Sequence, residues 1–485
     1  MRRTGDGALE QAALVTAVDR RLRRVDLVVG FDLDLTLVDA SRGTRLVMAR
    51  LGDELGIEID VDAVLSRIGP PLEQELLHWM SADEVPAAAD RYRELSAEFG
   101  AAMVDALPGA REALECVRAA GGRVVVVTAK RADLARRNLD VLGLEVDALH
   151  GWLWGEGKGS ALILEGATVM VGDHPLDVLG ARAAGAVAVG VRTGGSEPVG
   201  ADVLLDDLTG FPAWLAEHLL RTRLDRLHAD LADLGSVLVA FSGGADSAFL
   251  LAAAVRALGP EQVVAATAVS TSLAVEELPA ATAYAMGLGV RHLTPGTDEL
   301  SREGYVANGA DRCFHCKATL LDTLRPLAHD LGLSHVATGT NADDAVAGFR
   351  PGIAAASQRG ARTPLLDAGL TKAQVREASR RWGLVTADKP ALACLASRIA
   401  YGVQVTPQRL ARVDRAETAL RALLAPEHVR VRDLGDGTAR VELDAATLSA
   451  CDDRALSVVR AEGFTSVEVR EFVSGSLNAA LAPGT

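Results

Sequence analysis

The stretch V-L-V-A-F-S-G-G-A-D-S-A-F-L-L (237–251) decides the fold of the chain's second half. A short apolar run ends in Ser-Gly-Gly, and an Ala- and Leu-rich helical pattern follows at once. A continuous apolar run bounded by Gly and Ser fits a strand buried on both faces of a parallel sheet. Gly243 and Gly244 let the backbone turn tightly and bring N–H groups close to an anion. Ser242 and Ser247 add hydroxyl donors, and the N-terminus of the following helix adds its dipole. Strand, anion loop and helix in this order predict an open α/β sheet with its ligand at the strand's C-terminal end. The lysine of a Walker phosphate loop is missing.

Similar runs stand at 25–31, 123–128, 167–172, 262–269 and 335–339, separated by helical patterns. They predict at least two α/β domains. With 485 residues the chain exceeds one hydrophobic core and should form roughly two to four domains. Residues 215–234 place Leu at helical spacing among charges and predict an amphipathic joining helix. Beyond about residue 401 the pattern changes. R-V-R (430–432) and A-R-V-E-L (439–443) alternate as strands do around L-G-D-G (434–437). The expected fold is therefore α/β: two Rossmann-like parallel-sheet domains and a small α+β C-terminal domain. The boundaries expected are 26–215, a helical linker at 216–233, then 234–400 and 401–485.

Composition narrows the function. Apolar residues make up 49% and charged residues 24%, as in ordinary globular protein. The net charge of −15 repels phosphate backbones, so a nucleic-acid partner is not expected. Cys116, Cys313, Cys316, Cys394 and Cys451 are too sparse for a disulfide framework and suit a reducing cytoplasm. No signal-peptide pattern and no membrane-length apolar run are present in the sequence.

The first half carries F-D-L-D-L-T (31–36) after its first strand. Asp32 and Asp34, two residues apart at a strand's end, point to one side. Carboxylates held together repel, and a bound Mg²⁺ would relieve them. One could then act as nucleophile and the other as acid and base. Thr128 ends R-V-V-V-V-T, Lys158 lies in G-E-G-K-G-S-A-L, and V-G-D-H-P-L-D (171–177) sets Asp173 and Asp177 after another strand. This order, with L-P-G-A-R-E-A-L (107–114), resembles the haloacid dehalogenase-like phosphatases over residues 26–215. The resemblance implies Asp32 as nucleophile and Asp34 as acid/base. It implies Thr128 and Lys158 on the transferring phosphoryl group, and Asp32, Asp173 and Asp177 on Mg²⁺. A helical cap is expected at about 40–105, suggested by I-G-P-P-L-E-Q-E-L-L (68–77).

In the second half, S-G-G-A-D-S (242–247) resembles the loop of the PP-loop ATP pyrophosphatases. That implies ATP as substrate, Ser242, Gly243, Gly244 and Ser247 around its pyrophosphate, Asp246 assisting Mg²⁺ and Ser270 beside the adenine. Together with C-F-H-C-K (313–317), G-T-N-A-D-D (339–344) and K-P-A-L-A-C-L-A-S-R (389–398), residues 234–485 resemble the LarE family of ATP-dependent sacrificial sulfur transferases. That resemblance implies adenylation of a small phosphorylated carboxylate acceptor, sulfur donation by Cys394, a substrate phosphate held by Arg430 and Arg432, metal-binding acids at Glu417 and Glu442, and a homo-oligomer. Lys389 and Arg398 are near Cys394 in sequence and could favour its thiolate. Cys313 and Cys316 leave open an iron–sulfur route that restores the sulfur. Two further classes stay open: a PP-loop ligase of amidotransferase or synthetase type with a structural Cys394, and a nucleotide-binding sensor without turnover.

Overall fold

The computed structural model describes residues 27–67, 71–346, 350–390 and 393–473. The N-terminal residues read for a signal peptide, positions 68–70 of the cap stretch, Phe349, Ala391, Leu392 and the tail from 474 lie outside the described residues. The chain forms two compact units, one ending at Leu219 and one running on from Leu220.

In the N-terminal unit the strands are β1 (Val28–Phe31), β2 (Val38–Asp39), β3 (Asp105–Ala106), β4 (Arg123–Val127), β5 (Ala148–His150), β6 (Val169–Gly172), β7 (Val187–Val191) and β8 (Val203–Leu205). Six form a parallel sheet in the order β5-β4-β1-β6-β7-β8. Val29, Phe31, Val124 and Val126 face one apolar cluster, and Val28, Val125 and Val127 face the other. Both faces of the sheet are thus covered, which is why its strands read as unbroken apolar runs. The short pair β2 and β3 brackets a helical insertion with its own core of Val47, Met48, Leu51, Leu76 and Leu95. This insertion spans the range in which the cap was expected.

The C-terminal unit holds a second parallel sheet, β9 (Val237–Ala240), β10 (Val263–Ala266), β11 (Arg291–Leu293) and β12 (His335–Thr338), in the order β11-β10-β9-β12. Helix Ala245–Leu258 buries Phe249 against Trp382, with ring centroids 4.8 Å apart. A small sheet follows: β13 (Val429–Asp433) antiparallel to β14 (Thr438–Leu443), and β14 parallel to β15 (Ser466–Glu471). Helix Pro407–Leu424 covers it through Leu410, Val413 and Leu420. The joining helix runs Phe211–Ala232, four residues earlier than its Leu pattern suggested. The reason is local: Phe211 packs edge-on against Phe31 at 5.5 Å and so extends the helix back into the first core. Among the described residues no helix is long and apolar enough to cross a membrane.

Candidate functional site

In the N-terminal unit the strand ends converge. Asp32 follows β1, and its N–H bonds the Val171 carbonyl at 2.8 Å. Asp173 and Asp177 follow β6, and one carboxylate oxygen from each of the three acids lies within 4.8 Å of the others, all buried. Lys158, from helix Glu156–Glu165, donates from Nζ to Asp32 Oδ1 and to Asp177 Oδ1, both at 2.5 Å. Burial pushes the Asp32 carboxyl up to about 7, against the pull of Lys158, and pushes Asp173 up to about 8 with Asp32 and Asp177 adding to it. Burial works against the Lys158 ammonium, but Asp177 and Asp32 outweigh it and hold its pKa above the ordinary value. Three buried acids against one lysine form a site short of positive charge, which fits a divalent cation such as Mg²⁺. Thr36 Oγ1 donates to Asp173 Oδ1 at 3.0 Å and fixes that carboxylate. Asp177 also accepts the His174 N–H at 3.1 Å and so caps helix Pro175–Ala184.

Asp34 lines the same cavity as Asp32 and Thr128. It is held by a different lysine, however, with Lys130 Nζ on Asp34 Oδ1 at 2.5 Å. Lys130 also donates to Asn138 Oδ1 at 2.8 Å, and Asn138 Nδ2 reaches the Ala101 carbonyl at 2.6 Å. Thr128 Oγ1 accepts the Lys130 N–H at 3.1 Å, which fixes the turn after β4.

In the C-terminal unit Ser242, Gly244, Asp246 and Ser247 line one cavity at the end of β9. Gly243 takes φ +74°, a left-handed turn that favours glycine, and its carbonyl accepts Lys389 Nζ at 3.1 Å. Gly339 lets β12 approach the loop, since a Cβ there would stand 2.9 Å from the Ser247 nitrogen. Ser242 and Ser247 hydroxyls are 3.1 Å apart. Lys317, Arg350, Lys372, Arg376 and Lys389 line the same cavity, five basic side chains around the loop. That suits a polyphosphate. Asp246 and Asp344 face them, and burial, then Asp344, raises the Asp246 carboxyl.

Residues 29–147 match the family described as haloacid dehalogenase-like hydrolase, and residues 158–220 match a second family described as HAD-hydrolase-like. A phosphoglycolate phosphatase of Chromobacterium violaceum is 31% identical over 209 residues, 37% of this chain and 92% of that protein. An uncharacterized protein of Synechocystis sp. is 44% identical over 225 residues, 46% of this chain and 82% of its own length. The pyridinium-3,5-bisthiocarboxylic acid mononucleotide synthase of Lactiplantibacillus plantarum is 34% identical over 264 residues, 53% of this chain and 95% of the synthase. The chain belongs to the haloacid dehalogenase-like hydrolases in its N-terminal part and to the family of that synthase in its C-terminal part.

The synthase-family part brings Cys394 to the surface. Cys394 stands at the N-terminal end of a short 3₁₀ turn, Leu395–Arg398, pinned where the Leu395 N–H bonds the Ser272 carbonyl at 2.9 Å. The two cations expected to favour its thiolate are committed elsewhere, and this corrects that expectation. Lys389 bonds Gly243 and, at 3.0 Å, Glu277. Arg398 is buried, paired with Glu417 at 2.8 Å, and donates to the Cys394 carbonyl at 3.2 Å. It orders the backbone of the turn instead. Glu417 and Glu442, expected as metal ligands, are likewise taken. Glu417 receives Arg398, Arg421 and the Val431 N–H, and Glu442 receives Arg432 at 2.8 Å. Burial would raise Glu417, but the Arg398 hydrogen bond and charge overcome it and lower its pKa.

Arg430 and Arg432 both lie on β13 beside this turn. Arg432 Nη1 bonds the Ser397 carbonyl at 2.9 Å. Burial, then Arg398, lowers the Arg430 pKa to about 10, as expected where several guanidinium groups crowd together. Ser270 differs from its expected place. It is absent from the cavity lining, where Thr267, Ala268 and Leu273 stand, and its hydroxyl accepts the Ser272 N–H at 3.2 Å. The strand ends at Ala266, so residue 270 already belongs to the turn. Helix Arg312–Asp330 carries Cys316 toward Cys394: burial, then Cys394, raises the Cys316 thiol to about 12. Lys317, one residue on, lines the cavity at the end of β9. Sequence reasoning missed Lys130, Asn138, Lys372 and Arg376. The only available signals were Lys130 two residues after Thr128 and the basic residues of K-A-Q-V-R (372–376).

Proposed function

We propose that the chain is a bifunctional enzyme: an ATP-dependent sulfur transferase in its C-terminal part and a Mg²⁺-dependent phosphatase in its N-terminal part. The observation that carries the first activity is the exposed Cys394 beside Arg430 and Arg432, in a unit 34% identical to the named synthase. In this reading an acceptor carboxylate attacks the α-phosphorus of ATP and pyrophosphate leaves into the cradle of Ser242, Gly243, Gly244 and Ser247. The Cys394 thiolate then attacks the acyl carbon and AMP leaves. A base takes the Cys394 Cα proton, the Cβ–S bond breaks, and a thiocarboxylate departs from a dehydroalanine. Arg430 and Arg432 would hold the acceptor's phosphate. The protein would act on a small molecule as a homo-oligomer.

For the phosphatase, the cluster of Asp32, Asp173, Asp177 and Lys158 supports the reading. Mg²⁺ would rest on the three acids and neutralise developing charge. Asp32 attacks phosphorus, the bond to the leaving oxygen breaks, and Asp34 gives that oxygen a proton. Water, deprotonated by Asp34, then attacks phosphorus, and phosphate and free Asp32 result. Lys130 holds Asp34 in place. Phosphate release from p-nitrophenyl phosphate with Mg²⁺ tests this. Asp32→Asn should remove at least about 10³-fold of the rate, and a variant that keeps its rate would refute the assignment.

A second reading, in which the sulfur on Cys394 is replaced rather than consumed, is favoured by Cys394 and Cys313 standing near enough to the buried Cys316 thiol to raise it. Against it, the three sulfurs do not gather into a ligand-sized group as the three acids do. The Cys394→Ala variant separates both from a ligase with a structural cysteine. It should still release pyrophosphate from ATP with acceptor present, while forming no thiocarboxylate. Unchanged product formation would favour the ligase.

A further inference from the structure

The chain has five tryptophans, and two of them, Trp152 and Trp154, line the cavity that holds Asp32, Thr128 and Lys158. They are 46% and 42% exposed. Large aromatic rings left half uncovered in the wall of a catalytic cavity serve no core, and such surface marks a ligand face. Their position is built. Trp152 takes φ +63°, unusual for a bulky residue, and its N–H bonds the Lys130 carbonyl at 2.9 Å. Arg93 of the cap lies over the Trp152 ring, 4.6 Å from its centroid.

The charges around the rings point the same way. Among the described residues, each cation lining this cavity already faces a carboxylate: Lys158 on Asp32 and Asp177, Lys130 on Asp34, Arg67 on Glu75, Arg93 on Glu73, Arg131 on Asp133. A second anionic group on the substrate would meet a carboxylate beside every cation it approached. A flat uncharged ring avoids that repulsion and gains a stacking surface.

We propose that the N-terminal unit acts on nucleoside monophosphates, with the phosphate at Asp32 and an uncharged aromatic base against Trp152 and Trp154. This rests on the phosphatase reading above. AMP, which the C-terminal part releases in the same reading, is the probe of choice.

The test compares kcat/KM for AMP and 2-phosphoglycolate in Mg²⁺, with p-nitrophenyl phosphate alongside. AMP should exceed 2-phosphoglycolate by about tenfold or more. Trp152→Ala and Trp154→Ala should each reduce AMP turnover about tenfold more than 2-phosphoglycolate turnover, the scale of one lost base-stacking contact. Trp152→Phe should restore most of the difference. Preference for 2-phosphoglycolate, or equal losses on both substrates, overturns the inference while p-nitrophenyl phosphate turnover preserves the phosphatase. No turnover of any of the three removes the phosphatase reading and the inference with it.

Discussion

Asp32 and Asp173 keep protons that free carboxyls lose. Their pKa values rise from 3.8 to about 7 and about 8, with burial the largest cause. Between those limits the folded chain holds more protons than the unfolded chain, so without a cation its stability falls as pH rises through the window. A divalent cation takes the protons' place, and its benefit grows with pH. Adding Mg²⁺ should therefore raise the thermal midpoint by several degrees near pH 8 and by less near pH 5. The rise should vanish in Asp173→Asn. An equal rise at both pH values, or one that survives Asp173→Asn, would contradict the site. At this scale the sequence was informative where a residue follows its own strand: Asp32, Thr128 and Asp173 each come just after one. It was silent where a partner comes from far away. Lys130 meets Asp34 across 96 residues, and no local pattern encodes that pairing. Arg398 shows the opposite error, because nearness to Cys394 in sequence suggested a contact with the thiol that the buried Glu417 instead claims.

Elements position these side chains. Helix Lys372–Arg381 brings Lys372 and Arg376 to the cavity at the end of β9, and a reciprocal cap begins it. Thr371 Oγ1 accepts the Gln374 N–H at 3.2 Å, and Gln374 Oε1 accepts the Thr371 N–H at 3.3 Å. Arg376 in turn bonds the carbonyls of Ala387 and Lys389, which anchors the segment leading to Cys394. Thr371→Ala should cost about 1 kcal/mol and lower the thermal midpoint by about 2–4 °C in a unit of this size. A change below about 0.3 kcal/mol would mean that the cap is not what holds the helix start. Strand existence was legible because strands buried on both faces are apolar throughout. Strand ends were less so. The run 262–269 pairs without a break only over Val263–Ala266; Ala268 then lines the cavity, and Val269 makes an isolated bridge to Gly296. Caps such as that of Thr371 follow from side-chain geometry, which apolar periodicity does not report.

At the scale of the whole molecule, two parallel sheets each gather charge at the C-terminal ends of their strands, acids in one and cations in the other. The five cations around the Ser242–Ser247 loop stand in a chain of net charge −15, so local charge and net charge point to different ligands. Net charge argued against nucleic acid, while the local cluster argues for a small polyphosphate. The central claim is that this second site spends the sulfur of Cys394. The most direct measurement is the mass of the peptide containing Cys394 before and after one turnover with ATP and a carboxylate acceptor. The account predicts loss of the mass of one H₂S, confined to that peptide and absent without ATP. An unchanged peptide mass after product has formed would contradict it.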